Sequence, residues 1–498
     1  MTARSFVGRQ PIASVRSSAT ARHPGLPSQN RGGPAVGLPE PVGRQHDVVY
    51  LRPLGHQVIL GTAGTGKTVM ALHRGIHLAD PETQNNGPTA LLTFNRSLST
   101  YLRHLAGEHC DEITIETYAK FARGYLRSQG RMEGNSIANG WQRTGFIESA
   151  VKEVAAGYKP SDFFARATQF FDDELAWIDG NGLHTLQAYL AADRIGRMAP
   201  LQAGQRRAMW KIREAYRRRL ADAGKLYDWP SLPSAVRKAL AEDNSDRRYR
   251  HIVVDEAQDL SPEAIRSLAE AIPPDGSLTL FADYAQQIYG QRISWRSCGL
   301  TVAKHEVFLD NYRNSPEIAR LALEMAAMPH FRDSADLVEP KQPQRAAGTK
   351  PTLVHCRSAE AEAAIIAQTA RASSSIARVG VLARTRREAK QAVHGLVGVR
   401  ELHDEMTRWD ITAGVYAGTY HSAKGLEFDI VLLPFCSAVR MPDPEVLASF
   451  GYEEAAARES RLLYVGVTRA RDELVITYTG ELTPLLPPAS SNLYQVAP

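Results

Sequence analysis

A short apolar run, "QVIL" at residues 57–60, ends in "GTAGTGKT", residues 61–68, and a helical pattern begins at once. The stretch fits G-x-x-x-x-G-K-T and constrains the fold more than any other feature of the chain. Glycine reaches dihedrals closed to other residues and lets a backbone come close to a ligand. The N–H groups of Gly61, Thr62, Ala63, Gly64, Thr65 and Gly66 can therefore wrap a phosphate at the start of a helix. Lys67 is placed to reach the outer phosphates, and Thr68 to ligate Mg²⁺. A strand, a glycine-rich turn and a helix in that order predict an α/β fold that binds a nucleotide such as ATP.

The rest of the chain extends that reading to two sheets. "ALLTF", "ITIE", "HIVVDE" and "LTLFAD" read as buried strands in the first part, and "PTLVHC", "VGVLART", "GVYAGTY" and "DIVLLPF" in the second. Strands alternating with helical segments imply parallel sheets covered on both faces. The stretch 122–245 is mostly helical in pattern and reads as an insertion. The expected organisation is a first α/β domain from 45–121 and 246–305, the insertion, a second α/β domain over 306–482, and a weakly patterned tail at 483–498.

Residues 1–44 are rich in Arg, Ser, Pro and Gly, have no hydrophobic period, and read as a disordered basic tail. Residues 1–45 carry six arginines against Glu40, which equals the whole chain's net charge of +5. The remainder is formally neutral, so a nucleic-acid site has to be a local groove and not a global field. The Arg- and Ser-rich start has the look of an organelle transit peptide as well as of a plain tail or a misplaced start codon. The four cysteines show no metal-type spacing, which suits a reducing compartment. No apolar run approaches membrane-spanning length. The expected setting is cytoplasmic, nucleoid-associated in a bacterium, with organelle import as the alternative.

The second chemical landmark is "HIVVDEAQD", residues 251–259, where an apolar strand ends in adjacent acids. Asp255 is placed to hold Mg²⁺ and Glu256 to orient and deprotonate an attacking water. An Asn-Lys-x-Asp base reader and a Ser-Gly-Gly-Gln signature are both missing, which argues against a GTPase and an ABC-type ATPase.

With these motifs the chain resembles superfamily 1 helicases of the UvrD/Rep type, in order over nearly everything after residue 44. Gln45 sits where that family has an adenine-reading glutamine. "LLTFNRSLSTYL", 91–102, and "ITIETYAKF", 113–121, look like its first single-strand contacts. "LFADYAQQIYG", 280–290, resembles the segment in which Gln286 would sense the γ-phosphate. "LDNYRNSPEI", 309–318, is similar to the Asn-Tyr-Arg motif, in which Tyr312 would stack on the base and Arg313 contact the γ-phosphate. "GTYHSAKGLEFDIVLL", 418–433, implies Glu427 on the ribose, with Thr419, His421 and Lys424 along the strand and the domain interface. "ESRLLYVGVTRARDEL", 459–474, implies Arg469 as the arginine finger. The resemblance implies two RecA-like P-loop domains, a helical insertion in the first, ATP and Mg²⁺ as cofactors, and a site completed when the domains close. A site of that kind converts hydrolysis into relative motion.

Strand binding without sequence preference needs aromatic platforms and cations that track the backbone. The candidates are Phe94, Asn95, Arg96, Thr117, Tyr118, Trp295, Thr419 and His421. In "IYGQRISWRSCGL" Arg292 matches the family's arginine, but Gln291 stands where the Trp is expected; Trp295 reads as its displaced substitute or as core. Ala282 and Tyr284 also depart from the family pattern. The basic segment "QRRAMWKIREAYRRRL", 205–220, reads as a solvated charged face or as a duplex- or strand-contacting one. "GKLYDWPSL", 224–232, keeps Asp228 and an aromatic from a family motif and reads as a packing feature. The accessory domain that interrupts the second motor domain in full-length relatives is absent or vestigial. The expected partner is single-stranded or partly duplex DNA, with RNA open, and the expected activity is ATP-dependent strand translocation and DNA helicase action, 3′-to-5′ by family resemblance, in repair, recombination or defence. The alternative is a nucleic-acid-triggered ATPase switch that activates a partner such as a nuclease, by analogy with the helicase subunit of the Gabija defence system.

Overall fold

Parallel strands need crossover connections, and here the crossovers are helices. The computed structural model describes residues 38–62, 64–197, 199–283, 295–302, 305–308, 311, 313–331, 347–403 and 412–497. The first sheet holds β1 (Gly55–Gly61), β2 (Thr89–Thr93), β3 (Thr114–Thr117), β4 (His251–Val254), β5 (Ser277–Ala282) and β6 (His305–Phe308), in the order β3-β2-β4-β5-β1-β6. The second holds β7 (Thr352–Cys356), β8 (Arg378–Ala383), β9 (Arg400–Glu401), β10 (Gly414–Thr419), β11 (Phe428–Leu433), β12 (Ala470–Thr479) and β13 (Gln495–Ala497), in the order β13-β7-β12-β11-β8-β10-β9. Neighbouring strands run parallel in both sheets. This is the expected pair of parallel α/β sheets, and it is the RecA-like arrangement. Among the described residues no helix is long and apolar enough to cross a membrane.

The central strands β4, β5 and β1 lie in register, with Val254 opposite Leu280 and Leu60 opposite Ala282. Their carboxyl ends therefore meet along one edge, the place where open α/β sheets bind ligands.

Three boundaries shift from those the sequence suggested. A break at 305/306 falls inside β6, which pairs with β1 through Val58 opposite His305 and Gly61 opposite Phe308. The chain therefore leaves the first sheet only after Phe308. At the C-terminus, residues 483–497 are not a loose tail. Leu485, Leu486 and Tyr494 are buried in the second core, and β13 adds to β7. At the other end, Leu38 packs against the first core and Pro39 O bonds the His73 ring, so residues 38–44 belong to the body; residues 1–37 lie outside the described residues.

The helical stretch between β3 and β4 is of two kinds. Its outer helices, Tyr118–Ser128 and Leu232–Glu242, bury Phe121, Ala122, Leu126, Val236 and Leu240 in the first domain's core with Ile252 and Leu280. The insertion proper has its own core from Ala138 to Leu220, built on Phe163, Phe170, Phe171, Ile178, Met209 and Tyr216. It starts at a capping box, in which Asn139 Oδ1 accepts from Gln142 N (2.9 Å) and Gln142 Oε1 accepts from Asn139 N (3.1 Å). Helix Ala203–Asp222 carries the basic segment; Arg213 and Arg206 are used inside the fold, while Arg207, Arg217 and Arg218 are exposed. Arg213 donates to Asp179 at 2.6 Å, Arg206 to the carbonyls of Tyr189, Leu190 and Ala192, and Arg218 to Glu153 at 2.6 Å.

Asp228 ties the insertion to the first domain. It is 1% exposed, pairs with Arg143, and accepts from Tyr216 Oη at 2.6 Å and from Ser231 N at 3.1 Å. The packing role read from the sequence is thus an ionic one. Asp228→Ala leaves the buried Arg143 guanidinium short of one of its two carboxylates, the other being Asp172, and we expect a loss of about 3–5 kcal/mol. Thermal melting followed by circular dichroism checks this; an apparent Tm within about 2 °C of the parent would be incompatible with it.

The insertion also reaches the second domain. Arg458 pairs with Asp173, Glu454 Oε2 accepts from Ala199 N at 2.8 Å, and Phe450 packs into the insertion core.

Candidate nucleotide and strand-binding site

The glycine-rich turn follows β1 and opens helix Lys67–Ala79. Gly64 and Gly66 have φ of +83° and +81°, the left-handed region that favours glycine. A Cβ at Gly64 would lie 2.1 Å from Asn311 Oδ1, and one at Gly66 would lie 2.6 Å from the Gln45 amide nitrogen. No side chain caps the helix and its first turn has no acid, so its leading amides and dipole are directed at an incoming phosphate. Lys67 Nζ donates to Gly61 O (3.0 Å) and Thr62 O (2.6 Å), and pairs with Asp283 Oδ2 at 3.3 Å.

Asp255 and Glu256 follow β4. Asp255 is buried, and its Oδ2 has no hydrogen-bond partner, while Oδ1 accepts from Glu256 N at 3.0 Å. Burial, then repulsion from Glu256, push its carboxyl up to about 7, against a hydrogen bond from Thr68. An orphaned buried carboxylate oxygen beside the Thr68 hydroxyl is a fitting place for a divalent cation. Among the described residues no group of three or more His, Cys, Asp or Glu side chains could cage a metal by itself.

Glu256 has φ +56° and ψ +43°. A non-glycine residue in that region costs of order 1–2 kcal/mol and needs surroundings that hold it there. Burial opposes its charge, but Lys424, Lys67 and Arg469 outweigh it and keep the carboxyl below the usual range. Asp283 is also buried and its carboxyl is raised by burial despite Lys67.

The second domain supplies further cations. Arg469 is 1% exposed and donates to Val465 O (3.1 Å), Leu426 O (3.3 Å) and Thr468 Oγ1 (3.2 Å). Burial, then Arg313, lower its guanidinium to about 10. Arg313 pairs with Glu427 at 2.5 Å, so the residues implied for γ-phosphate and ribose hold each other here. Lys424 Nζ lies 2.6 Å from Asp259 Oδ1, both nearly inaccessible, and joins the two domains directly. Asn311 Oδ1 accepts from Arg313 N (2.9 Å) and Asn314 N (3.2 Å), while Asn314 Nδ2 donates to Thr468 O at 3.2 Å. The chain leaving the first sheet thus rests on the phosphate loop at Gly64 and on the helix before Arg469.

Several sequence expectations take another form. The Gln45 amide is used structurally, its Nε2 donating to Thr65 O (3.0 Å) and its Oε1 accepting from Val42 N (2.8 Å). Thr117 is buried and caps helix Tyr118–Ser128 by accepting from Lys120 N at 3.2 Å. Tyr118 is 8% exposed with its hydroxyl 2.7 Å from Ser267 Oγ. Trp295 is 7% exposed within the first core. Thr117 and Trp295 present no face to a nucleic acid, because each side chain is buried in its own domain, whereas Tyr118, though largely buried, lines a cavity together with Phe94. Asn95 caps helix Arg96–Ala106 through Leu98 N (2.7 Å) and donates to Lys424 O (3.3 Å), which makes it an interdomain residue. Thr419 ends β10 and accepts from Ser422 N at 3.2 Å, and His421 is partly buried, its imidazole held down to about 4 by burial, Arg384 and Lys424. Ala63, Gln286 and Tyr312 lie outside the described residues, as do Tyr284, Gln291 and Arg292.

Phe94 is exposed and lines a cavity of about 380 Å³, and Arg96, two residues on, is exposed as well. Its walls come from the first domain (Phe94, Gln258), the insertion (Asp173, Trp229) and the second domain (Arg458). Trp229, read from the sequence as packing, is 44% exposed, with the Arg123 guanidinium 6.0 Å from its ring centroid. Its signal was the aromatic kept in the family-like "YDWPSL". Asp259, Gln258, Asp283, Asn311 and Asn314 were missed as site residues. All five lie inside or beside quoted motifs, and only their cross-chain contacts reveal them.

The model of the UvrD/REP helicase N-terminal domain matches residues 43–303, more than half of the chain. The chain belongs to the UvrD/Rep helicase family. The model of the UvrD-like helicase C-terminal domain matches residues 401–481. A protein named ATP-dependent DNA helicase UvrD2, from Mycobacterium tuberculosis H37Rv, is 24% identical over 570 aligned positions, covering 88% of this chain and 79% of that one. The DNA helicase II of Haemophilus influenzae is 25% identical over 307 positions, 55% of this chain and 39% of its own. A probable DNA helicase II homolog of Rickettsia conorii is 38% identical over 77 positions, 16% of this chain and 12% of its own. Membership of the UvrD/Rep family makes this chain an ATP-hydrolysing DNA helicase in class, with ATP as nucleotide and DNA as the strand.

Proposed function

We propose that the protein moves along single-stranded DNA from 3′ to 5′ by alternately closing and opening its two α/β domains around ATP. The observation that carries this is the buried cluster between the domains, where Lys67, Asp255, Glu256 and Asp283 of the first sheet face Lys424 and Arg469 of the second. Five carboxylates, Asp255, Glu256, Asp259, Asp283 and Glu427, stand there against four cations, Lys67, Arg313, Lys424 and Arg469. Thr68 and Asp255 would hold Mg²⁺, which when bound supplies charge neutralisation at the phosphoryl oxygens.

Lys67 leaves Asp283 for the outer phosphates. Glu256, kept ionised by cations of both domains, accepts the proton of the attacking water. Arg469 and Arg313 stabilise charge that develops on the γ-phosphoryl oxygens, and Arg313 leaves Glu427 to do so. Both arginines come from the second domain, so charge stabilisation is complete only when the domains are closed. Phe94, Arg96 and Trp229, with Thr419 and His421, form the proposed path of the strand. Residues 402–413 are all that joins β9 to β10, which favours translocation over processive unwinding for the chain alone.

ATP hydrolysis measured without nucleic acid and with single-stranded DNA, duplex DNA or RNA tests this reading. Single-stranded DNA should stimulate hydrolysis most, and Lys67→Ala should abolish it, a loss on the order of 10³-fold. Hydrolysis indifferent to every nucleic acid would favour a switch that depends on a partner protein.

A further inference from the structure

Gln258 is 2% exposed and lies two residues after Glu256. Its Oε1 accepts from the backbone N–H of Asp283 at 2.8 Å. A backbone N–H can only donate, so the amide orientation is fixed and Nε2 is the end that donates to Glu256 Oε2. The side chain therefore clamps the Glu256 carboxylate to the end of β5, beside the Asp283 that holds Lys67. Glu256 needs such a clamp, since its backbone stands at φ +56°. On its other side Gln258 lines the 380 Å³ cavity, together with Phe94, Trp229 and Arg458. One side chain thus touches the hydrolytic carboxylate, the end of the strand bearing Lys67's partner, and the cavity placed for nucleic acid.

We propose that Gln258 is a positioning residue: it aims Glu256 at the attacking water and links that aim to occupancy of the strand-side cavity. This rests on the reading of Glu256 as the water-activating group. Strand entering beside Phe94 and Trp229 packs against the Gln258 stem, holds the amide in place, and so fixes the carboxylate.

The test is steady-state hydrolysis by the full chain with and without a single-stranded oligonucleotide, for Gln258→Met, Gln258→Glu and Glu256→Gln. Gln258→Met keeps the volume and removes both hydrogen bonds. We expect strand-stimulated kcat to fall roughly 10- to 100-fold, with KM for ATP and oligonucleotide Kd within about twofold of the parent. The ratio of stimulated to unstimulated kcat should collapse towards one. Gln258→Glu sets an acceptor against the Glu256 carboxylate and should do the same; it decides the matter should the methionine variant fail to fold. A Gln258 variant that is stimulated like the parent while Glu256→Gln is inactive overturns this proposal alone. So does a variant that loses ATP or strand affinity with kcat intact. A hydrolytically active Glu256→Gln overturns the underlying reading of Glu256 and this proposal with it.

Discussion

Replacing Arg469 by Ala is expected to lower strand-stimulated kcat by about 10³-fold or more, the range that an arginine finger contributes to phosphoryl transfer. Its guanidinium bonds to neutral oxygens, those of Val465, Leu426 and Thr468. No carboxylate bonds to it at short range among the described residues, and burial in low dielectric makes its charge act more strongly on a phosphoryl group. Arg469→Lys keeps a charge but loses the planar fork and the three bonds that orient it, so it should recover little of the activity. Single-turnover hydrolysis with saturating oligonucleotide, alongside nucleotide affinity and thermal melting, separates this from misfolding. A folded Arg469→Ala protein within tenfold of the parent rate would rule out the finger.

Lys424→Met is expected to have the second-largest effect, because it unties the domains. Asp259 would be left buried with no cation, a penalty of about 3–5 kcal/mol set against domain closure. Burial already raises the Asp259 carboxyl to about 6 with Lys424 present. Lys424 also leads the charges that keep Glu256 ionised against burial, so loss of kcat should accompany loss of closure. Small-angle scattering should show a more open particle and limited proteolysis a faster cut between the domains. The double variant Lys424→Met/Asp259→Leu replaces the pair by apolar groups and should close better than the single one while remaining slow in hydrolysis. A single variant with the parent's scattering profile and rate would show that closure does not depend on this pair.

These two residues illustrate how much the chain discloses before it folds. Arg469 and Lys424 stand out within quoted motifs, and so do Lys67, Asp255 and Glu256. A phosphate loop needs glycines and a Lys-Thr at fixed spacing, and a strand ending in two acids is a local pattern. Such features depend on a few consecutive residues, so the sequence carries them whole, along with the alternation that gives two parallel sheets. It also carried the family, since the motifs occur in order.

Other assignments depended on neighbours far away in the chain. Thr117 and Trp295 have the residue types of a strand site, yet both are buried within the first domain. Trp229 has the type of a core residue and lines the cavity instead. Nothing local to "DEAQD" tells that its glutamine meets Asp283 or that its last acid meets Lys424, which is 165 residues away. The N-terminal motif, the acids and Asp283 converge because β4, β5 and β1 are adjacent in the sheet although 251, 277 and 55 are their first residues. Sequence alone determined the class of fold, the nucleotide chemistry and the elements that bear it, because each is written in short-range spacing. Only the tertiary structure decided which charges are buried together, which aromatics stay at the surface and how the two domains grip each other, because burial and cross-chain pairing are set by strand order and packing.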